Sequence, residues 1–330
     1  MWARLYITLR LGAPPVSAHT GMSSQNTVLV PVDLADGAER VAHYAATLAA
    51  RSGDRLVLFA VLDPVARGPS TPSTEPDGGR VPPARFGDEP TAAHAALAEA
   101  LRPSGVEVET CVVAHRSSAE AIRAAVEARR PAAVVMGTNA RAAPGRFVLG
   151  SVAEAVVRRS SAPVFTVRVE DGPPPAAPRR VLVGVDLSPL AAPLVRAVAA
   201  WAGAGTDEVV LCYAVESGQP RGAYGLGMGA IRRATFPRTV DGARRELDAL
   251  AARWWHGAPV QTVATHGPAG RVILAEAERV HADLVVVATH GWRGLDLVLV
   301  LGSVAGRVLR QAACPVLTFT RASLRPHGAM

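Results

Sequence analysis

Two aspartates and two glycine-containing loops carry the residue types in this sequence that suit ligand binding. Asp33 follows the apolar run that begins at Val28, and Asp186 follows a similar run that begins at Val181. A carboxylate at the end of a strand can accept hydrogen bonds from a ribose hydroxyl or an adenine amino group. The alternative is structural, because an aspartate there also forms an N-cap or an Asx turn into the next helix. After Asp186, Ser188-Pro189 is predicted to supply the N-cap and the first helical residue, which frees Asp186 for another role.

The two loops are MGTNARAAPGRFVLGSV, from Met136 to Val152, and VATHGWRGLDLVLVLGSV, from Val287 to Val304. Each follows an apolar run and ends where a helix is predicted to begin, so free N–H groups and the helix dipole favour an anion there. Glycines also let the backbone approach a ligand closely. A capping box of Ser151 and Glu154 is the competing interpretation, but the recurrence of the loop favours phosphate.

The composition limits the classes of function. The chain has 330 residues, of which 49% are hydrophobic, enough for two domains with sizeable cores. All 35 basic residues are arginine, and a P-loop nucleotide site is excluded because it needs a lysine. The arginines are scattered and not interleaved with aromatic residues, which argues against nucleic-acid binding despite a net charge of +7.

Cys111, Cys212 and Cys314 are too widely spaced for a disulfide framework or a zinc site, and they are expected to be small core residues. This cysteine usage is typical of a reducing cytoplasm, which is the predicted compartment. No uncharged apolar stretch approaches the roughly 18 residues of a membrane span, so no membrane partner is expected.

One unit of sequence occurs twice. VLVPVD at Val28 recurs as VLVGVD at Val181, Gly150 aligns with Gly302, and SAPVFTV aligns with ACPVLTF. The proline-rich segment between the copies is predicted to be a linker, and Met22 is a plausible true start of the chain. The predicted organisation is a poorly ordered N-terminal extension (1–24), a first domain (25–170), a linker (171–178), a second domain (179–320) and a C-terminal tail (321–330).

Strands alternate with amphipathic helices in each unit. The strands are continuous β-branched runs, which is typical of parallel strands covered on both faces. The predicted fold class is therefore α/β, with two tandem, doubly wound, Rossmann-like parallel-sheet domains. Ligands in such sheets bind beyond the carboxyl ends of the strands, where the strand order reverses. The Pro/Gly-rich insert after the second strand of each unit is either a mobile loop over the site or a tolerated surface insertion.

The duplicated unit resembles the universal stress protein family, and the chain resembles its tandem members over about residues 25–170 and 179–320. The resemblance rests on the strand-ending aspartate, the APV or CPV last strand, and a loop of the form G-x2-G-x9-G-(S/T). Members of the family often bind ATP through these elements and a residue after the second strand. The resemblance implies that the ligand contacts are Asp33, Val61, Gly137, Ala140, Gly150, Ser151 and Val152 in the first unit, and Asp186, Val215, Ala288, Gly291, Gly302, Ser303 and Val304 in the second.

Both loops depart from the pattern of that family. Ala140 and Ala288 each replace one glycine, and the second loop has one extra residue before Gly302. If the backbone at such a position needs a positive φ, an alanine there costs on the order of 1 kcal/mol. The first unit is favoured as the nucleotide site because its spacing from Ala140 to Gly150 is intact.

The resemblance implies a stress-response regulatory protein that binds ATP, with or without Mg²⁺, and acts on an unidentified protein partner. It would be no enzyme, or at most a slow ATPase, because no acid–base pair, metal cluster or activated nucleophile is visible. The alternative is a scaffold of the same fold whose degenerate sites no longer bind nucleotide. An ATP pyrophosphatase would need a Ser-Gly-Gly loop where PVDLADG and GVDLSPL stand.

The last strand of each unit would leave an exposed sheet edge. In the family that strand pairs across a dimer, so the two units are predicted to form an internal pseudo-dimer, and homodimerisation of the whole chain stays open. His266 and His290 are expected to be solvated or satisfied histidines, and Trp254 and Trp255 to pack at the end of a helix.

Overall fold

The computed structural model describes most of both repeats and divides into two compact units, one ending at Gly137 and the other beginning at Thr138. The second unit thus includes the last helix and strand of the first repeat. The predicted N-terminal extension, both Pro/Gly-rich inserts and most of the linker lie outside the described residues. The described ranges are 26–33, 37–62, 89–138, 149–169, 176–202, 205–216, 239–256, 258–289 and 301–325.

The first unit contains a parallel sheet in the order β3-β2-β1-β4. The chain leaves β1 towards β2 and β3 and then returns to the other side of β1, so the strand order reverses between β1 and β4. Its elements are β1 (Thr27–Pro31), α1 (Ala38–Ser52), β2 (Arg55–Leu62), α2 (Glu89–Ala100), a 3-10 turn (Arg102–Ser104), β3 (Val108–Ala114), α3 (Ser118–Arg129) and β4 (Ala133–Thr138).

Local sequence accounts for the ends of these helices. Gly53 ends α1 with a φ of 71°, a left-handed conformation that glycine adopts without a steric penalty. Ser117 caps α3 by accepting a hydrogen bond from the N–H of Glu120, as expected for a serine followed three residues later by glutamate. Strand β1 is apolar on both faces, and its residues Leu29 and Val30 are fully buried.

The second unit contains a sheet in the order β5-β10-β9-β6-β7-β8, in which every pairing is parallel except that of β5 with β10. The predicted α/β class with mostly parallel sheets is confirmed. The elements are α4 (Ser151–Arg159), β5 (Val164–Arg168), β6 (Arg180–Gly184), α5 (Ala191–Trp201), β7 (Glu208–Val215), α6 (Val240–Trp254), β8 (Val260–His266), α7 (Ala269–Arg279), β9 (Leu284–Ala288), α8 (Ser303–Gln311) and β10 (Val316–Phe319).

The last strands of the two repeats pair antiparallel within this unit, as the pseudo-dimer prediction requires. Two buried threonines reinforce the pairing: the hydroxyl of Thr166 donates to the carbonyl of Val316, and that of Thr318 donates to the carbonyl of Val164, each at 3.2 Å. After β10, the hydroxyl of Thr320 donates to the carbonyl of Ser160 at the end of α4, at 2.7 Å. Each last strand therefore has its edge covered by the other.

At the amino ends of the strands, Asp283 ties β9 to β6. Its Oδ2 accepts the backbone N–H groups of Arg179 at 3.1 Å and Arg180 at 2.8 Å. We expect Asp283→Ala to lower the free energy of unfolding by about 1 kcal/mol or more, because both amides lose a charged acceptor. Chemical denaturation followed by tryptophan fluorescence measures this. Asp207→Ala is the matched control, since it removes only an exposed ion pair with Arg179 and should have a smaller effect. Equal losses would contradict the prediction.

Candidate functional site

The carboxyl ends of three neighbouring strands meet in the second repeat. In the middle strand, Gly184 of β6 lies opposite Val287 of β9 on one side and Cys212 of β7 on the other. Because the three strands are parallel, Asp186 follows β6 at the same edge where Val215 ends β7 and Ala288 ends β9. The structure therefore brings these three predicted residues to one edge of the sheet.

Asp186 lies in a turn that holds its carboxylate in place. Oδ1 accepts the backbone N–H of Ser188 at 3.0 Å, which is an Asx turn, and Leu187 between them has a φ of 52°. Such a conformation is uncommon for leucine and is retained only where the surroundings determine it. Asp186 thus does form the Asx turn that was its structural alternative. The turn uses one carboxylate oxygen, Oδ1, and fixes the orientation of the carboxylate.

Ser188 makes the side-chain hydrogen bond predicted for a cap, but it does so in a turn that precedes the α-helix. The helix begins at Ala191, three residues after Ser188, and its N-cap residue Leu190 makes no side-chain cap hydrogen bond. Ser188 instead forms a preceding turn, in which its hydroxyl accepts the N–H of Leu190 at 3.1 Å and its carbonyl accepts that of Ala191 at 2.8 Å.

The second glycine loop is closed at its base by a backbone contact. The N–H of Gly302 donates to the carbonyl of Thr289 at 3.3 Å, which joins the start of α8 to the end of β9. A Cβ on Gly302 would lie 2.7 Å from that same carbonyl oxygen. The glycine is therefore required by close approach of two backbone segments, because its φ of −54° suits any residue.

The described positions of these loops do not need a positive φ, so the cost of an alanine there does not arise. Gly150 and Gly302 have φ values of −58° and −54°. Neither Gly137 nor Ala288 is among the described residues with positive φ, and both lie within a strand. Ala288 thus replaces a glycine without backbone strain, and the extra residue of the second loop falls between two anchored ends.

The start of α8 has the chemistry of an anion site. The first intrahelical bond after the cap is from the N–H of Gly306 to the carbonyl of Gly302 at 2.8 Å, so the amides of Ser303, Val304 and Ala305 have no acceptor within the helix. Ser303 is exposed, and the first turn carries no acidic residue that would compete for these amides. The helix dipole adds partial positive charge at this end.

The residues of the first predicted site divide between the two compact units. In the first unit Asp33, Val61 and Gly137 lie at the carboxyl ends of β1, β2 and β4, respectively. In the sheet β1 lies between β2 and β4. Asp33 is exposed.

In the second unit Gly150 is the N-cap of α4, and Ser151 is its first helical residue, followed by Val152. The N–H of Glu154 donates to the carbonyl of Gly150 at 2.9 Å, and the cap has no side-chain hydrogen bond. The alternative capping box of Ser151 and Glu154 is thus wrong, because the helix begins at Ser151 itself, one residue earlier than a serine cap requires.

Strand register shows that Val61 and Val215 are not equivalent positions. Leu56 lies opposite Val28 in the first repeat, and Val209 lies opposite Val181 in the second. Counting along each strand from these pairs places Val61 level with the residue before Val215. The matching endings FAV (59–61) and YAV (213–215) suggest an equivalence that the register does not support, because the second strand begins at the same distance after the first in both repeats.

Ala140, Gly291 and His290 lie outside the described residues. His266 is exposed at the end of β8, opposite Val215. Trp254 ends α6, with the guanidinium groups of Arg196 and Arg253 at 5.6 and 5.0 Å from its ring centre. Trp255 is buried and donates to the carbonyl of Ala258 at 2.6 Å. Both tryptophans pack at the end of the helix, as predicted.

The three cysteines are free thiols. Burial raises the pKa of Cys212 to about 12 and that of Cys314 to about 11, and it also raises the pKa of Cys111. All three are therefore protonated at neutral pH and are weak nucleophiles. Within the described ranges no three His, Cys, Asp or Glu residues are grouped closely enough to hold a metal ion, and no described helix is long and apolar enough to cross a membrane.

Sequence inspection missed His94, which is 1% exposed on α2. Among the described residues neither of its ring nitrogens has a hydrogen-bond partner. The signal was present in the spacing, because His94 shares a helix face with the buried Leu97 and Leu101.

Comparison with known proteins identifies the family. The family model described as "Universal stress protein family" matches residues 25–168 and 178–320. A universal stress protein of Mycobacterium tuberculosis H37Rv is 32% identical over 191 residues, which cover 56% of this chain and 60% of that relative. A universal stress protein homolog of Coxiella burnetii is 29% identical over 143 residues, which cover 42% of this chain and 94% of the relative. The chain thus spans only part of the length of its mycobacterial relatives.

Solved structures show the same fold. A universal stress protein from Archaeoglobus fulgidus superposes with a TM-score of 0.62 at 19% identity, covering 90% of this chain and 96% of the other. A putative universal stress protein from Pseudomonas aeruginosa gives 0.61 at 18% identity, covering 91% and 95%. With both repeats matched to one family model and the tandem fold shared, the chain belongs to the universal stress protein family.

Proposed function

We propose that this chain is a regulatory nucleotide-binding protein, and that its second repeat binds an adenine nucleotide, ATP, at the carboxyl edge of the sheet. The observation that carries the proposal is the start of α8, which Gly302 and Thr289 anchor to β9 at the edge where Asp186 follows β6. Free amides there suit phosphate oxygens. The oriented carboxylate of Asp186 suits a ribose hydroxyl or an amino group.

The residues of the second repeat fit such a ligand. A Cβ on Gly302 would occupy the space against the strand end, so only glycine lets the helix start approach this closely. Ser303 and Val304 would present their amides to phosphate, and Val215 would lie at the adenosine. The spacing of the sequence favoured the first repeat, but only the second has its described residues gathered within one compact unit.

A binding role fits the chemistry better than catalysis. The three thiols are protonated at neutral pH, and Asp186 already accepts a backbone hydrogen bond. We therefore propose that binding, and not turnover, is the output, transmitted to a protein partner in the cytoplasm. The pairing of β5 with β10 covers the strand edges within one chain, so the regulatory unit needs no second copy.

Native mass spectrometry of the freshly purified chain tests the proposal. We expect a mass excess of bound adenine nucleotide, identified after denaturation, which Asp186→Ala reduces. Asp207→Ala is the matched control, because Asp207 is a carboxylate at the amino edge of the same sheet. Asp33→Ala reports on the first repeat. If the wild-type chain carries no nucleotide and binds none at millimolar ATP with Mg²⁺, the sensor proposal fails and a scaffold role is favoured.

A further inference from the structure

A single arginine lies across the two helices that begin at the candidate site. Arg307, the fifth residue of α8, packs its aliphatic stem against Gly270, the second residue of α7. The position that a Cβ of Gly270 would occupy is 2.8 Å from Cδ of Arg307 and 3.4 Å from its Cβ and Cγ. The stem of Arg307 can therefore pack in this position only because Gly270 has no side chain.

The guanidinium of Arg307 is left for a ligand. Its side chain is exposed, and among the described residues it makes no ion pair or hydrogen bond. Other described arginines of this unit do have carboxylate partners, as Arg279 has Glu276 and Arg179 has Asp207. A cation near the start of a helix is unfavourable towards the helix dipole, so an anion there would relieve two unsatisfied charges at once.

The stem of Arg307 is placed at the edge of the sheet that carries the site. Gly270 lies in the first turn of α7, which begins where β8 ends, and α8 begins just after β9 ends. Helical side chains lean towards the helix N-terminus, so Arg307 extends towards Gly302 and not away from it.

The first repeat has no equivalent of this arrangement. Ala155 occupies the position of Arg307, Ala119 that of Gly270, and Glu154 that of Gly306. The first five residues of α4 thus include an acidic residue, whereas Arg307 is the one charged residue among the first five of α8. The two repeats should differ in how strongly they attract additional negative charge.

We propose that Arg307 is a specificity-determining residue that binds the distal phosphates of the nucleotide in the second repeat, so that ATP is preferred to AMP there. The inference rests on the proposed function of that repeat. A guanidinium suits this role because its fork of N–H donors matches phosphate oxygens and its charge is permanent. The packing of the Arg307 stem against Gly270 reduces the conformational entropy that the side chain would lose on binding.

Calorimetric titration of ATP and AMP into Arg307→Ala tests the inference, with Asp33→Ala present throughout to silence the first repeat. We expect Arg307→Ala to weaken ATP binding by about tenfold and to leave AMP binding within about twofold, because only ATP has distal phosphates. The salt dependence of ATP affinity should also fall. Gly270→Ala, which displaces the stem but keeps the charge, should weaken ATP in the same selective way.

Arg310→Ala is the matched control, because Arg310 lies one turn further along α8 and folds back over Gly306. It should bind both nucleotides as the parent chain does. Unchanged ATP affinity in Arg307→Ala would overturn the inference, and so would an equal loss of ATP and AMP, which would indicate a structural role. In either case nucleotide binding by the parent chain would leave the proposed function standing. Absence of all nucleotide binding by the parent would overturn both.

Discussion

Lowering the pH from 6.5 to about 4 is expected to reduce the free energy of unfolding by about 3 kcal/mol through His94 alone. Burial lowers the pKa of His94 from 6.5 to about 4. The unfolded chain binds a proton below pH 6.5, while the folded chain excludes it until about pH 4. The stability is therefore complete above the unfolded pKa and is lost as the pH falls through this window.

Urea denaturation followed by circular dichroism across the window measures the effect. His94→Leu should make the pH dependence shallower, because no ionisable group remains at this buried position. It should also be tolerated at neutral pH, since both ring nitrogens lack partners among the described residues and α2 keeps its packing against β2 and β3. His256→Leu is the control, as His256 is exposed and the variant should keep the parental pH profile. An unaltered slope in His94→Leu would contradict the assignment.

Gly302→Ala is expected to abolish nucleotide binding by the second repeat and to lower the free energy of unfolding by about 1–3 kcal/mol. The new Cβ would lie 2.7 Å from the carbonyl oxygen of Thr289, and a backbone atom cannot move aside as a flexible side chain does. The start of α8 must shift, and the hydrogen bond from Gly302 to Thr289 is lost with it. Calorimetric titration of ATP and urea denaturation followed by tryptophan fluorescence measure the two effects.

Gly306→Ala provides the matched comparison on the same helix. Its Cβ would meet the guanidinium of Arg310 at 3.1 Å and Cδ2 of Leu301 at 3.4 Å, and both are ends of flexible side chains. An alanine inside a helix is favoured over glycine by about 1 kcal/mol, so this variant should be as stable as the parent or more stable. If Gly302→Ala were as well tolerated as Gly306→Ala, the close approach of α8 to β9 would not be the reason for the glycine.

Much of the fold was predictable because it depends on local patterns. Continuous β-branched runs such as the one at Val181 form buried parallel strands, since they are apolar on both faces. The duplication predicted two equivalent α/β units, and the family resemblance implied the pairing of β5 with β10. The family comparison agrees with the motifs from which the resemblance was inferred.

The residue types of the candidate site were predictable from the sequence, but the contacts that require those residues were less so. Asp186 and Gly302 were identified from spacing, and an Asx turn was one of the alternatives for Asp186, but the close approach of Gly302 to Thr289 across the intervening loop was not predicted. The capping role assigned to Ser151 was wrong, and Ser188 caps a turn ahead of the α-helix, because a serine near a helix start can serve several turns with the same local sequence.

The sequence by itself determined the repeat, the strand and helix order, and the edge of the sheet where ligand chemistry gathers, because these follow from periodicity and from the direction of parallel strands. Only the tertiary structure showed that a glycine is needed at 302 because of the neighbouring carbonyl of Thr289 and not because of its φ. It also showed that the ring nitrogens of His94 are buried without partners among the described residues, and that Arg307 packs across Gly270. These features depend on distances between segments far apart in the chain, which no local pattern encodes.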